Sequence, residues 1–389
     1  MIDTVILSMP KDELQILMNK DGSSPWSLQS TSAGFKKFVL NPTARDRQLG
    51  IYKPRITGTV RTESGMGTIM NVRLEFSVPK MLYDNNLDEI EDVDFPKMLT
   101  ILRERMYDMG IIATEDQLAH AEVVAFHPSK NILLADGYTA AFVIGELRKI
   151  DLAGRFDLDK VSFRNNGESL QMYTATHSLV FYDKIADMGK PKKRAIDKDQ
   201  TAQQVSLFVE IRKQELSHQV LRIEVRLSKK RKMHAVLKKL GLPEHPTFRE
   251  VVSKDICGPI LMDYWHTMVA NRNFALFDLR SEPLVILQQI TKEAPTIGAK
   301  EAIYRTGLLL LAKDNEGVRG LRKALTGKTG ARNWRRLVRP LLDTGRSRKI
   351  TECHSWVRQV EENITQCGAY RCPSELLMVY GSTSIFINK

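Results

Sequence analysis

Two stretches of the chain alternate apolar and polar residues with a period of two, and this pattern constrains the fold more than any other feature of the sequence. In 72–78 and again in 221–227, every second residue is a branched or aromatic apolar one. Successive side chains of a strand point to opposite faces of a sheet, so both stretches are predicted to be strands with one face on a core. In the second stretch Arg222, Glu224 and Arg226 form a charged row on the other face.

Other stretches extend this pattern into an α+β fold with an antiparallel sheet. A polar, Ser- and Gly-rich loop is predicted around 22–32, and residues after 245 are helical by pattern. We therefore predict a sheet domain over 1–245 and a mainly helical domain over 246–389. The predicted strands are 2–9, 56–61, 67–78, 121–126, 169–173, 177–182 and 221–227, and the predicted helices of the first domain are 95–110 and 137–147.

The charge balance points to a polyanionic partner. Lys and Arg number 58 against 46 Asp and Glu, which gives a formal net charge of +12. Nucleic acid is favoured over an acidic membrane surface. The stretch 188–204 is predicted to be an exposed basic loop that either helps to hold DNA or is simply a solvated charge run.

Neither a membrane span nor a disulfide framework is expected. The longest apolar run, 308–312, is far below the ~20 residues of a span, and the N-terminus lacks the features of a signal peptide, so we expect a cytoplasmic protein with no membrane partner. Cys353, His354, Cys367 and Cys372 lack a close Cys-x-x-Cys pair, which favours free thiols over a zinc site.

A tyrosine and a lysine follow a predicted buried strand. Leu179–Phe181 have the bulk of a strand packed in a sheet, and a period of two places Tyr182 and Lys184 on one face. A neighbouring ammonium favours the phenolate, so this pair suits a tyrosine that attacks an electrophile. The commoner outcome for such a pair is a partly buried tyrosine beside a solvated lysine.

Five short motifs stand in order along the chain: Met1–Leu7, Leu74–Leu82 followed by Asn85-Asn86, Tyr182–Lys184, Leu221–Glu224 and Leu240–Pro243. In order and spacing they resemble the filamentous-phage gene II and plasmid rolling-circle replication-initiator family. The resemblance covers 1–245 and extends more faintly over 303–345.

This resemblance implies a replication initiator in a bacterial host. Such an enzyme nicks one strand of a duplex origin through a covalent 5′-phosphotyrosine and later rejoins the strand, and Tyr182 holds the position of the family's nucleophile. It implies DNA as partner, both origin duplex and single strand, with a host helicase continuing the opening. Two alternatives stay open: an origin-binding regulator without catalysis, and a transposase or relaxase that uses the same tyrosine chemistry.

Nicking calls for a divalent cation at the scissile phosphate, Mg²⁺ or Mn²⁺. The His-hydrophobic-His triplet of related initiators is absent from this sequence. We therefore predict Glu122, Glu224 and His177 as metal ligands, with His120 or Asp183 as substitutes. Each residue also has a structural alternative. Glu122 is typical of a carboxylate at the rim of a sheet, Glu224 of one member of a row of salt bridges, and His177 of an ordinary hydrogen-bonded histidine in a strand.

Several cations are expected to contact DNA. Lys184 is predicted to lower the pKa of Tyr182 or to contact the scissile phosphate, and Arg222 to contact that phosphate; for either residue the alternative is a plain ion-pair partner. A helix-turn-helix is predicted over 318–345, with Trp334 on its inner side and Pro340 kinking the second helix; a plain helical hairpin with a solvated basic face is the alternative. The basic residues of its second helix are Arg332, Arg335, Arg336 and Arg339.

Overall fold

A ten-stranded antiparallel sheet organises the chain in the computed structural model. Its strand order is β3-β4-β5-β6-β1-β8-β12-β11-β10-β9. The structure describes residues 1–18, 24–32, 34–63, 67–151, 161–164, 168–188, 201, 219–269, 277–279, 282–314, 316–344 and 351–372. The strands of this sheet are β1 (Ile2–Pro10), β3 (Ser27–Ser32), β4 (Phe35–Leu40), β5 (Arg55–Glu63), β6 (Gly67–Ser77), β8 (Glu122–Leu133), β9 (Val161–Arg164), β10 (Ser169–Tyr173), β11 (Ser178–Asp183) and β12 (Val220–Arg226).

Two short strand pairs and a set of helices complete the described structure. The short pairs are β2 (Gln15–Ile16) with β7 (Ile111–Ile112), and β13 (Phe277–Leu279) with β14 (Thr351–Cys353). The helices are α1 (Ala44–Gln48), α2 (Val78–Tyr83), α3 (Phe95–Tyr107), α4 (Glu115–His120), α5 (Ala140–Arg148), α6 (Lys184–Met188), α7 (Lys230–Lys239), α8 (Phe248–Val252), α9 (Lys254–Val269), α10 (Pro283–Glu293), α11 (Ala299–Lys313), α12 (Gly317–Ala324), α13 (Ala331–Thr344) and α14 (Ser355–Gln366).

The sheet consists of two halves with the same topology. In each half a central strand, β1 or β8, is followed by a meander whose last strand, β6 or β12, returns to pair with it. The two alternating stretches of the sequence are these returning strands, and they carry related segments, Arg73-Leu74-Glu75-Phe76 and Arg222-Ile223-Glu224-Val225. Glu75 and Glu224 therefore occupy equivalent places in the two halves.

One face of the second half packs against helices from the end of the chain. Phe181 on β11 contacts Trp265 of α9, with ring centroids 6.3 Å apart, and Trp265 contacts Trp356 of α14 at the same distance. All three side chains are fully buried within one continuous hydrophobic core. The boundary proposed at residue 245 lies inside this core, and the division into two domains stays a prediction.

The predicted α+β class and the antiparallel sheet are confirmed, with two corrections to element bounds. The predicted Ser- and Gly-rich loop contains β3, which the sequence hides because all its residues are exposed and only its pairing with β4 makes it a strand. The strand predicted at 121–126 continues to Leu133 through Pro128, since its second half is buried between β1 and β12. Nearly all of the basic loop 188–204 lies outside the described residues.

Two helices joined by a turn lie where a helix-turn-helix was predicted, and the choice between that motif and a plain helical hairpin stays a prediction. α12 and α13 are separated by a short turn, and Pro340 lies inside α13. Trp334 is buried on the inner side, where its indole nitrogen donates to Asp151 at 2.9 Å. Arg332, Arg335, Arg336 and Arg339 are all exposed. None of the described helices is long and apolar enough to cross a membrane.

Candidate functional site

A cluster of charged groups lies on the face of the sheet opposite Trp265. The register pairs Tyr182 with Arg222 across β11 and β12, and Glu224 with Ser129 across β12 and β8. Directly paired residues of neighbouring strands share a face. These side chains therefore point away from the helices. The alternate residues of the same strands, such as Phe181, point into the core.

Tyr182 and Glu224 form the centre of this cluster. The Tyr182 hydroxyl donates to Oε2 of Glu224 at 3.2 Å. Arg226 holds the same carboxylate through Nε at 2.7 Å and Nη2 at 3.3 Å, and Nδ1 of His127 lies 3.3 Å from Oε1. Glu224 is buried and Tyr182 is half-buried as a residue, while its hydroxyl is turned inward onto the buried carboxylate.

Arg222 is the buried cation of the cluster. Its Nη2 donates to Asp3 at 2.9 Å and to Ser129 at 2.8 Å, and its Nη1 donates to the main-chain carbonyl of Asn86 at 3.0 Å. Its side chain is only 1% exposed because β12 is an interior strand. The predicted contact between Arg222 and a DNA phosphate does not fit this placement.

The pKa values of the two central groups move in opposite directions. Burial raises the pKa of Tyr182 well above its usual value; Arg222 opposes this rise, whereas Glu224 and Asp3 add to it. Burial also acts to raise the pKa of Glu224, but Arg226 and His127 outweigh it and hold that pKa well below the usual range. At neutral pH the pair is therefore a protonated phenol beside an ionised carboxylate.

Lys184 contacts the tyrosine differently from the prediction. Asp183 ends β11, and Lys184 begins α6 with its buried Nζ 5.8 Å from the centroid of the Tyr182 ring. The ammonium thus lies over the ring face, and the cation that lowers the phenol's pKa most is Arg222. The net shift of this pKa is upward because burial and the carboxylates dominate, which is opposite to the lowered value expected beside Lys184; the predicted contact of Lys184 with the scissile phosphate stays a prediction.

Three residues of the cluster could hold a metal ion. Ligand atoms of Asp3, His127 and Glu224 lie within 4.8 Å of one another. Nδ1 of His127 is buried and already faces Oε1 of Glu224 at 3.3 Å, so this nitrogen and the carboxylate are directed at the same point. Two carboxylates and one imidazole suit Mg²⁺ or Mn²⁺, so the residues fit the predicted ion.

The predicted ligand set is only partly brought together. Glu224 belongs to the cluster, but Glu122 precedes Ser129 by seven positions along β8, a separation of about 20 Å at strand spacing. His177 lies on the helix-covered face, where its ring contacts Tyr264 at 5.8 Å between centroids and its Nδ1 lies 2.8 Å from the Thr174 hydroxyl. Glu122 and His177 therefore do not lie where they could bind the same ion as Glu224, and this part of the predicted ligand set is wrong.

The suggested substitutes also lie elsewhere. His120 is exposed and pairs with Asp116 at 3.1 Å, and the Asp183 carboxylate accepts from the main chain of Ala186 at the start of α6. The sequence prediction missed Asp3 and His127. Asp3 could have been noticed as the one carboxylate of the first strand, whereas His127 lay just beyond the predicted end of its strand.

A basic groove crosses the same sheet face beside the cluster. Its volume is about 570 Å³, and it extends over β4, β5, β6, β1 and β8 to the start of α7. Arg61 and Arg73 are exposed within it. β11, which carries Tyr182, lies two strands beyond β8, or about 10 Å away across the sheet, and Tyr182 is in register with Asn131, six positions or about 20 Å along β8 from Ala125 of the groove. The charged side chains lining the groove are Lys37, Arg55, Arg61, Arg73, Lys229, Lys230 and Glu75.

The cysteine cluster provides no metal centre among the side chains that the structure describes. His354 packs against Tyr138, Phe142 and Trp356. The main chain of Cys372 donates to Asp88, and Cys367 and Cys372 are free cysteines.

Comparison with protein-family models, with curated proteins and with solved structures found no match for this chain.

Proposed function

We propose that this protein is a metal-dependent DNA nicking and joining endonuclease that initiates rolling-circle replication, with Tyr182 as its nucleophile. The observation that carries the proposal is the hydrogen bond from the Tyr182 hydroxyl to Glu224, which belongs to a group of possible metal ligands on the sheet face that also carries the basic groove. A nucleophile needs a neighbour that positions it and a group that neutralises charge at the electrophile.

The chain's own residues account for orientation and proton handling. Glu224 accepts the hydrogen of Tyr182 and so fixes the direction of its oxygen lone pairs, while Arg226 and His127 keep the carboxylate ionised. Attack forms a bond between the Tyr182 oxygen and phosphorus and breaks the bond from phosphorus to the 3′ oxygen. The phenol gives up its proton to solvent by way of Glu224, and the departing 3′ oxygen takes up one proton from solvent, so the step is neutral in protons. Because the pKa of Tyr182 is raised, proton loss has to accompany attack rather than precede it.

A divalent cation held by Asp3, His127 and Glu224 would neutralise charge on the scissile phosphate. The covalent phosphotyrosine conserves the energy of the broken bond. The same site can therefore rejoin the strand by reversing the attack, with the 3′ hydroxyl as nucleophile and Tyr182 as leaving group.

The basic groove is the proposed path of the single strand. Six cationic side chains and one carboxylate line the groove. The half-buried ring of Phe35 lies beside Arg61, whose guanidinium is 6.0 Å from the ring centroid. Cationic grooves with interspersed aromatic rings track single strands without reading their sequence. Such a groove would guide the nicked strand across the sheet toward Tyr182.

The test is removal of the hydroxyl alone. Tyr182→Phe keeps the ring, so the protein should fold and bind origin DNA, yet it should neither nick nor remain linked to a 5′ end. Supercoiled DNA carrying candidate origins, with Mg²⁺ or Mn²⁺, is the substrate, and protein-linked DNA is detected after denaturation. Tyr173→Phe, on the neighbouring strand β10, is the matched control. Nicking by Tyr182→Phe, or an adduct mapped to another tyrosine, would refute the assignment.

A second candidate is an origin-binding regulator without catalysis. It is favoured by the raised pKa of Tyr182, because burial keeps the phenol protonated and a protonated phenol is a weak nucleophile. The four exposed arginines of α13 would then supply the main function, since positions 332, 335, 336 and 339 share one helix face. Loss of duplex binding in the Arg335→Ala, Arg336→Ala double variant, together with a wild type that never nicks, would favour this candidate. A relaxase or transposase would differ only in the DNA that it cleaves.

A further inference from the structure

Glu122, excluded from the tyrosine cluster, belongs to a second group of possible ligands. It begins β8, and ligand atoms of Glu122, His234 and His245 lie within 4.8 Å of one another. His234 lies on α7 and His245 in the connection from α7 to α8. Their ring centroids are 4.3 Å apart, and Nδ1 of His245 is 3.8 Å from Oε1 of Glu122.

Main-chain hydrogen bonds hold these segments together without a metal. The amide of Val123 donates to the carbonyl of Pro246 at 3.0 Å, and the amide of Phe248 donates to the carbonyl of Ala121 at 3.0 Å. The residues flanking His245 are thereby fixed beside the start of β8. This scaffold defines where both imidazoles and the carboxylate meet, while the side chain of His245 itself is 68% exposed and has room to adjust.

One ligand atom of the group is left unsatisfied. Nε2 of His234 is buried and has no hydrogen-bond partner among the described residues. Buried polar atoms are nearly always partnered, so such an atom needs an explanation. A metal ion bound to this nitrogen would provide the missing partner.

We propose that Glu122, His234 and His245 form a zinc site that is separate from the tyrosine cluster. Two imidazoles with one carboxylate match the three-protein-ligand pattern of zinc, in which a water molecule completes the tetrahedron. Imidazole nitrogen favours Zn²⁺ and its transition-metal neighbours over Mg²⁺, whereas the tyrosine cluster, with two carboxylates, favours the harder ions. The two sites therefore sort metals by ligand chemistry, and the zinc site does not depend on the proposed nicking function.

Lys230 is the competitor of the metal. Its Nζ lies 2.5 Å from Oε1 of Glu122 and supplies the counter-charge of this carboxylate. The Lys230 side chain is 45% exposed, so it can turn into solvent when a cation takes its place. Zinc bonds of about 2.0–2.2 Å require the three ligand atoms to draw together by roughly 1 Å, which side-chain rotation provides.

The test measures metal binding directly. Purified full-length protein is titrated with Zn²⁺ against a chromophoric chelator in excess Mg²⁺, and with Co²⁺ for the visible absorption of tetrahedral N/O coordination. Wild type should bind one equivalent at this site. His234→Ala, His245→Ala and Glu122→Gln should each weaken it by more than about 100-fold, because even second-shell losses typically cost about 10- to 100-fold.

Two control variants keep the result interpretable. His120→Ala removes an exposed histidine near Glu122 in sequence and should leave zinc binding unchanged. Glu224→Gln disables the tyrosine cluster and should also retain the zinc equivalent, so failure of the nicking proposal does not affect this test.

The test variant His245→Ala changes an exposed side chain and should keep the circular dichroism of wild type, which shows that it folds. Absence of a tetrahedral Co²⁺ spectrum, or loss of zinc in Glu224→Gln but not in His234→Ala, would overturn the proposal.

Discussion

The substitution Glu224→Gln separates the charge of the tyrosine cluster from its shape. Glutamine keeps the volume and one acceptor oxygen but replaces the other oxygen by a donor. In the folded protein the Glu224 carboxylate accepts from Tyr182, pairs with Arg226 at 2.7 Å and lies 3.3 Å from His127. The neutral amide of the variant would therefore leave Arg226 without its counter-charge and would remove a metal ligand.

The expected magnitudes follow from burial. Breaking a buried ion pair costs ~3–5 kcal/mol in the free energy of unfolding. The Arg226 side chain is 23% exposed, so water can solvate its head group, and we expect a value near the lower end of that range. Nicking should fall further, by at least ~10²-fold, because both the partner of the nucleophile and a ligand for the cation are lost.

Two measurements on the same variant check these values. Urea unfolding with an unchanged m-value gives the change in the free energy of unfolding. Single-turnover cleavage of a single-stranded origin oligonucleotide gives the change in the rate of nicking. Glu75→Gln is the matched control, because Glu75 takes the equivalent place on β6 in the other half of the sheet. Because Glu75 also lines the basic groove, loss of its negative charge should not weaken strand binding, and this variant should nick at least as fast as wild type. A folded Glu224→Gln that cleaves within a few-fold of wild type would refute both the ligand and the positioning role.

Three further predictions concern other parts of the molecule. Replacing Arg61 and Arg73 by Ala should lower single-strand affinity and reduce the salt slope by ~0.7 for each lost phosphate contact; an unchanged slope would place the strand elsewhere. Lys130→Met should destabilise the fold by ~3 kcal/mol in urea unfolding, because Glu89, whose carboxylate lies 2.7 Å from that ammonium, would stay buried without its closest counter-charge and keep, among the residues that the structure describes, only the main-chain amides of Asn131 and Tyr370 as donors. The raised pKa of Tyr182 contributes stability that is fully present below the unfolded pKa near ~10 and is lost as pH rises through the folded value, so Tyr182→Phe should flatten the alkaline decline of unfolding free energy.

Local sequence pattern was sufficient for the elements and for the faces of the central strands. The alternation in 221–227 predicted β12 and the separation of its charged row from its apolar row, because a period of two fixes which residues share a face. The same reasoning placed Tyr182 near the end of β11, but Lys184, which it placed on the same strand face, begins α6 instead. Helical spacing likewise placed the arginines of α13 on the surface and Trp334 inside.

Only the tertiary structure decided which groups meet. Asp3, His127 and Glu224 are distant in sequence and come together because β1, β8 and β12 are neighbours in the sheet, an order set by long-range pairing rather than by local pattern. Because β12 is an interior strand, Arg222 is a buried cation and not the expected DNA contact. Because β8 extends to Leu133, Glu122 at its start lies far from Glu224 and belongs to another group of ligands. Periodicity specifies the face of a strand but not its neighbours, and the chemistry of this protein depends on the neighbours.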